Sequence, residues 1–236
     1  MTEAKKPDGN ELADDVLGFA RLELHTVKDL VLRPAVVLQV MMEQGPNGGG
    51  AYTRPLRLYL ILCAFLMLIL FLQGGSDYLL TGLPPEAINA LVERSGKSMD
   101  AFMADADGWM SLVMVPVLST FYALLSVPFF RLWDREDLGW RRGLRSTFCW
   151  LNAWTVLILP LSWWVYGTGP LAAILSALIF LLGIIAFLRM GRGRWFHSAF
   201  MGVLKAILLM IIIQIAGAIG MLLVSGIGIL GAVFTS

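Results

Sequence analysis

Charge is scarce in this chain. Only 15% of its 236 residues are Asp, Glu, Lys or Arg, where a soluble domain carries about a quarter. Histidine is nearly missing: His25 and His197 are too few and too far apart for a zinc site or a catalytic triad. The two cysteines, Cys63 and Cys149, lack CxxC spacing, lie in apolar stretches and read as small buried hydrophobes rather than metal or redox ligands. No HExxH, GxSxG or Walker loop occurs, so the residues point away from catalysis and imply no cofactor and no metal. A net charge of +1 and a pI near 7.8 argue against a nucleic-acid partner, which usually needs a basic surface or stripe.

What is present is hydrocarbon. Hydrophobic residues make up 58% of the chain and mean hydropathy is +0.74. A helix crosses a bilayer core with about 20 apolar residues, and five stretches qualify, at about 55–73, 109–130, 146–166, 170–188 and 203–234. They predict an all-α fold, a polytopic integral membrane helical bundle of about five transmembrane helices. The fifth stretch is long enough to tilt, or to span by about Ser225 and leave "GIGILGAVF" at the far interface. The polar, acidic start "MTEAKKPDGNELADDV" does not look like a cleaved signal peptide, so the first span is expected to lead the chain into the membrane and to stay there. Residues 1–47 then form a cytosolic polar tail with interfacial helices, and 48–236 the membrane domain, with an outer helical loop at 74–108.

Positive charge predicts the orientation. Alternate connections hold 16 of the 18 basic residues, whereas 74–108 has Arg94 and Lys97 against six acids. Cytoplasmic loops are the ones enriched in Lys and Arg, which gives a cytoplasmic N-terminus and a periplasmic C-terminus. Trp133, Trp140 and Trp195 would then line the inner interface, and Trp109, Trp163, Trp164 and Tyr166 the outer one.

The stretch "GGGAYTRPLRLYL" reads as a glycine hinge, then two arginines at the headgroup layer, with Pro55 in the first helical turn, where a missing N–H costs nothing. Before it, Leu12, Val16, Ala20, Leu24, Val27 and Val31 recur near helical spacing among Asp14, Asp15, Arg21, Lys28 and Asp29, and "AVVLQVMM" follows Pro34. These predict an N-terminal cytosolic amphipathic helix on the inner leaflet, with packing against protein as the other reading. Arg33, Arg54 and Arg57 are the candidate contacts for lipid headgroups.

In 74–108, one short helix is expected after Pro84–Pro85 and another at Met99–Ala104. Ile88, Leu91, Val92, Phe102 and Met103 would cap the bundle or meet a partner, and the acids would form a solvated face. Pro116 and Pro128 bracket the second span and Pro160 interrupts the third, as shaping elements. Asn152 and Gln214 are the candidates for a polar cavity, although such groups usually bond neighbouring helices. Ala216, Gly217, Gly220, Gly228 and Ala232 form a small-residue strip for close helix packing, within the bundle against Ala173 and Ala177, or against a second copy or partner.

The order "TVKDLVLRPAVVLQ", "YTRPLRLYLILCAFLMLIL", an outer helical loop, "VPVLSTFYALLSVPFFRLW" and a basic loop into an aromatic span resembles the bacterial membrane family catalogued as domain of unknown function 3667. More distantly it resembles Yip-type five-span membrane domains. The likeness covers about residues 22–200 and implies fold and topology rather than activity. A cysteine-paired N-terminal zinc knuckle is missing, and "GWRRGLRSTFCWLNAW" stands where the family has an acid–histidine pair, so no histidine-based role is carried over.

The expectation is therefore a non-catalytic accessory, scaffolding or membrane-organising protein of a bacterial inner membrane, whose partners are lipids and other membrane proteins or a second copy. The alternative is a small transporter or channel subunit; a lipid-handling enzyme would need acid–base residues clustered at one membrane face.

Overall fold

Proline and serine set where the helices begin. Pro34, Pro55 and Pro85 each occupy the first turn of a helix, where the ring is pre-set and no hydrogen bond is lost. Ser98 and Ser198 act as N-caps, their hydroxyls accepting from the amides of Ala101 and Met201 at 3.3 Å. The computed structural model describes residues 9–76, 79–80, 82–136, 139–165 and 170–235, with the side chains of 9–20, 170 and 172 left aside. Tyr166, Ser236, the apolar side chains expected at Leu12, Val16 and Ala20, and the acids Asp14 and Asp15 lie outside the described portion.

The elements are helices α1 (Gly9–Leu32), α2 (Pro34–Gln44), α3 (Pro55–Leu72), α4 (Pro85–Ser95), α5 (Met99–Trp133), α6 (Trp140–Ile158), α7 (Ser162–Val165), α8 (Pro170–Gly191) and α9 (Ala199–Phe234). Among the described residues, five helical segments are long and apolar enough to cross a membrane. They are α3, α5, α6 with α7, α8 and α9, and the chain is an all-α polytopic bundle. Large side chains such as Phe65, Leu112, Leu181 and Leu222 stand exposed on them, as expected where the surroundings are lipid.

Two helices outgrow the expectation. At 1.5 Å per residue, α5 and α9 are each more than 50 Å long. The short helix expected at Met99–Ala104 is the first part of α5, which runs unbroken through both Pro116 and Pro128. Likewise "GIGILGAVF" continues α9. Of Pro116, Pro128 and Pro160, the last alone breaks its helix: α6 gives way to a 3-10 turn at Leu159–Leu161.

α5 and α9 pack antiparallel along nearly their whole length. Gly228 lies against Met110, Gly220 against Leu118, and Gly217 against Tyr122, and near the far end the Lys205 ammonium sits 5.6 Å from the Trp133 ring. Ala216, Gly220, Gly228 and Ala232 are buried in this seam and Gly217 is half-buried. The strip is thus an internal interface. Its partner is the second span, not the fourth: Ala173 and Ala177 are exposed.

The two ends of the bundle differ. At one end Phe130, Phe187 and Trp195 stack at ring separations of 4.6–6.3 Å. Trp195 is 1% exposed, so it is a core residue rather than an interfacial one; the edge-on packing of Phe130 outweighs the pull of the headgroup layer on its indole. Trp140, Trp163 and Trp164 are exposed, as an interfacial belt requires. At the other end Phe102, Leu80 and Leu70 are buried, with Leu91, Val92 and Met103 packed against them, so the 74–108 segment caps the bundle. Two of its acids take structural partners: Asp107 accepts from Ser76, and Asp105 pairs with Lys97, whose ammonium also donates to the Ala232 carbonyl at 2.9 Å.

Candidate functional site

Among the described residues, most of the basic side chains collect at one end of the bundle, and several of them brace the chain. Arg189 donates to the Val31 carbonyl at 2.6 Å, at the C-terminus of α1. Arg145 donates to the Met41 carbonyl at 2.7 Å, in the last turn of α2. Both place a cation where a helix exposes unsatisfied carbonyls. Arg194 holds the buried Asp134 carboxylate through two bonds of 2.6 and 3.0 Å, and Arg135 donates to the Gly193 carbonyl at 3.1 Å. Lys205 donates to the Trp195 carbonyl at 2.7 Å.

α1 and α2 pack onto this end. Val37, Leu38, Met41 and Met42 are buried in the main core beside Cys149 and Trp150, so the inner face of α2 is covered by the bundle. The outward side of the pair carries Arg21, Leu24, Lys28, Leu32 and Val36, all exposed.

A polar latch fixes α1 to the segment before α3. The buried Asp29 carboxylate accepts from Arg33 at 2.9 and 3.0 Å and from the Tyr52 hydroxyl at 2.9 Å. His25 stacks on Tyr52, ring centroids 5.5 Å apart. One turn away, Thr26 accepts from the Thr53 amide at 3.0 Å. Burial alone would push the Asp29 carboxyl up, but the Arg33 and Tyr52 bonds outweigh it and hold it below the usual carboxylate value. Burial and the adjacent carboxylate push the Tyr52 phenol up. The glycine run delivers Tyr52 to this position. Gly48, Gly49 and Gly50 have φ of +56°, +67° and +96°, a left-handed path that other residues rarely take. At the expected hinge the chain makes a tight turn.

The three candidate headgroup arginines separate. Arg54 and Arg57 sit one turn apart at the head of α3 and line one open groove of about 610 Å³ with Leu56, Leu60, Ile61 and Ala64. Arg57 also pairs with Glu23 of α1 at 3.0 Å. Arg33 turns instead to Asp29. The two cavity candidates separate as well. Asn152 is buried and donates to the Pro55 carbonyl at 2.8 Å, tying α6 to α3, while Gln214 is on an exposed face of α9. Cys63 and Cys149 are buried and not joined in a disulfide.

One feature was invisible in the sequence: a groove of about 450 Å³ between α2 and the α5–α6 and α8–α9 connections, where Glu43, Asp134 and Glu136 face Arg135, Arg192 and Arg194. It needs three separate segments, and no local spacing signals it. Among the described residues no group of three or more His, Cys, Asp or Glu side chains is placed to hold a metal ion. No protein-family model, curated protein or solved structure matches the chain.

Proposed function

We propose that the chain is a non-catalytic accessory or membrane-organising protein of a bacterial inner membrane that holds anionic phospholipid at its basic end. In this reading the N-terminus and the basic end face the cytoplasm and the C-terminus the periplasm, and the likeness to the family named above extends to element order only. The observation that carries it is the Arg54–Arg57 groove: two guanidiniums stand above Leu56, Leu60, Ile61 and Ala64 on the outer surface of a membrane helix. A phosphate would meet the arginines in bidentate fashion while its acyl chain ran along the leucines. The exposed side of α1–α2 supports the same reading, because Arg21 and Lys28 alternate there with Leu24 and Leu32, the pattern of a helix lying on an anionic leaflet.

A small transporter or channel subunit is the rival. It would need polar groups converging on a path through the bundle, and Asn152, whose amide nitrogen bonds a backbone carbonyl, and Gln214, facing outward, do not converge. Thermal unfolding of the protein in nanodiscs tests the proposal. Phosphatidylglycerol should stabilise it relative to phosphatidylcholine, and the difference should shrink at high salt as surface charge is screened. Equal stability in both lipids at low salt would remove the anionic-lipid reading.

A further inference from the structure

The membrane part of the bundle contains a second recess, on a different face of α3 from the arginine groove. α3 and α5 diverge here, and α6 closes the gap from behind. Tyr59, Cys63, Leu151, Trp154 and Thr155 form a buried floor. Leu66, Met67, Val115, Leu118, Tyr122 and Met221 form a half-buried rim open to the surroundings. The space is about 190 Å³. From Tyr59 to Met67 it follows α3 for two turns, about 12 Å at the rise of an α-helix.

We infer that this slot holds a single acyl chain of a bilayer lipid. The spans surrounding it are bathed in hydrocarbon, so that is the medium that reaches its rim. Water is a poor filler, because a bound water needs two to four polar partners. The Trp154 indole already donates to the Ile179 carbonyl at 2.9 Å, and the part of the wall formed by Leu66, Met67, Met114, Leu118 and Met221 offers water no polar side-chain oxygen or nitrogen. An empty space of this size would leave its lining without dispersion contacts on one side, and a flexible hydrocarbon chain restores them. Met67, Met114 and Met221 come from three different helices to line it, and thioether side chains adapt to a chain without a fixed shape. The tyrosine and threonine hydroxyls lie toward the basic end. Asn152, one helical turn before Thr155, is bonded to Pro55 there, which sets the chain's ester end near Tyr59 and its methyl end near Met67 and Met221.

The inference is independent of the arginine groove, and its test uses a neutral headgroup so that the two can fail separately. The full chain is placed in nanodiscs of phosphatidylcholine carrying a photoreactive diazirine at mid-chain, irradiated, and the adducts mapped by peptide mass spectrometry. Adducts at Met67, Leu118 and Met221 should exceed those at Phe65 and Leu68, which stand openly exposed on the same helix as Met67, by several-fold. Val115→Trp should fill the slot and abolish that excess while leaving labelling at Phe65 and Leu68 unchanged. Met221→Phe, placed on the half-buried rim, makes the same test if the tryptophan variant does not fold. Equal labelling at Met67 and Leu68, or an excess that survives both filling variants, would overturn the inference.

Discussion

Gly220 faces Leu118 across the α5–α9 seam so closely that a β-carbon there would stand 2.7 Å from Leu118 Cδ2 and 3.7 Å from its Cα. The leucine methyl could swing aside for an alanine, but a branched side chain would have to move the helix. Inside lipid, where hydrophobicity does not drive helices together, close contacts of this kind hold them. Gly220→Ile should therefore destabilise the folded monomer by about 1–3 kcal/mol, the usual cost of overpacking a tight interface, read as a lower unfolding temperature in detergent. Gly226→Ala is the control, since a β-carbon there meets nothing within 4 Å, and it should be neutral. A stable Gly220→Ile monomer would mean that the seam tolerates bulk and that the strip is not what holds α9.

Orientation has a direct reading. A reporter active only in the periplasm should be active when fused after Ser236 and silent when fused between Arg135 and Arg142. The reverse pattern would overturn the positive-inside argument and, with it, the assignment of the basic end to the anionic inner leaflet.

The Asp29 latch predicts a pH response outside the membrane. Its carboxyl is held below its unfolded value, so its contribution is fully present above about pH 4 and is lost as pH falls through the lower folded value. Hydrogen exchange in residues 22–32 should be unchanged from pH 7 down to about pH 5, after correction for intrinsic rates, and should quicken only in stronger acid. Tyr52→Phe removes a buried bond to a charged acceptor and should cost about 1.5–3 kcal/mol, loosening α1 already at neutral pH. Unchanged protection in the variant would show that Arg33 alone secures the carboxylate.

The spans were legible because crossing a bilayer demands long apolar runs, and 55–73 of the sequence matches α3 (Pro55–Leu72) to within a residue. The pairing of the spans was not. The small-residue strip marked the packing face of α9, but α5 and α9 are apolar over most of their length, so nothing in the sequence said which helix that face would meet. That required Gly228 and Met110 to be brought together from opposite halves of the chain. Trp195 was misplaced for a related reason: a tryptophan near a basic loop fits an interface by composition, and only its packing on Phe130 and Phe187 shows it to be core. The latch was out of reach too, because Asp29 and Tyr52 lie 23 positions apart and are joined by a turn that three positive-φ glycines shape. Arg54 and Arg57 line one groove because they lie a turn apart at the head of α3. Arg33 lies apart from them, bonded to the carboxylate four residues before it.

The most direct test of the lipid-binding reading is native mass spectrometry of the protein released from nanodiscs of mixed phosphatidylglycerol and phosphatidylcholine. The native chain should retain phosphatidylglycerol in preference to phosphatidylcholine. Arg54→Gln combined with Arg57→Gln should remove that preference while the protein remains a folded monomer, whereas Arg33→Gln, which touches the latch instead, should leave it intact. Retention of both lipids in the proportions of the nanodisc, or a preference untouched by the double substitution, would contradict the account.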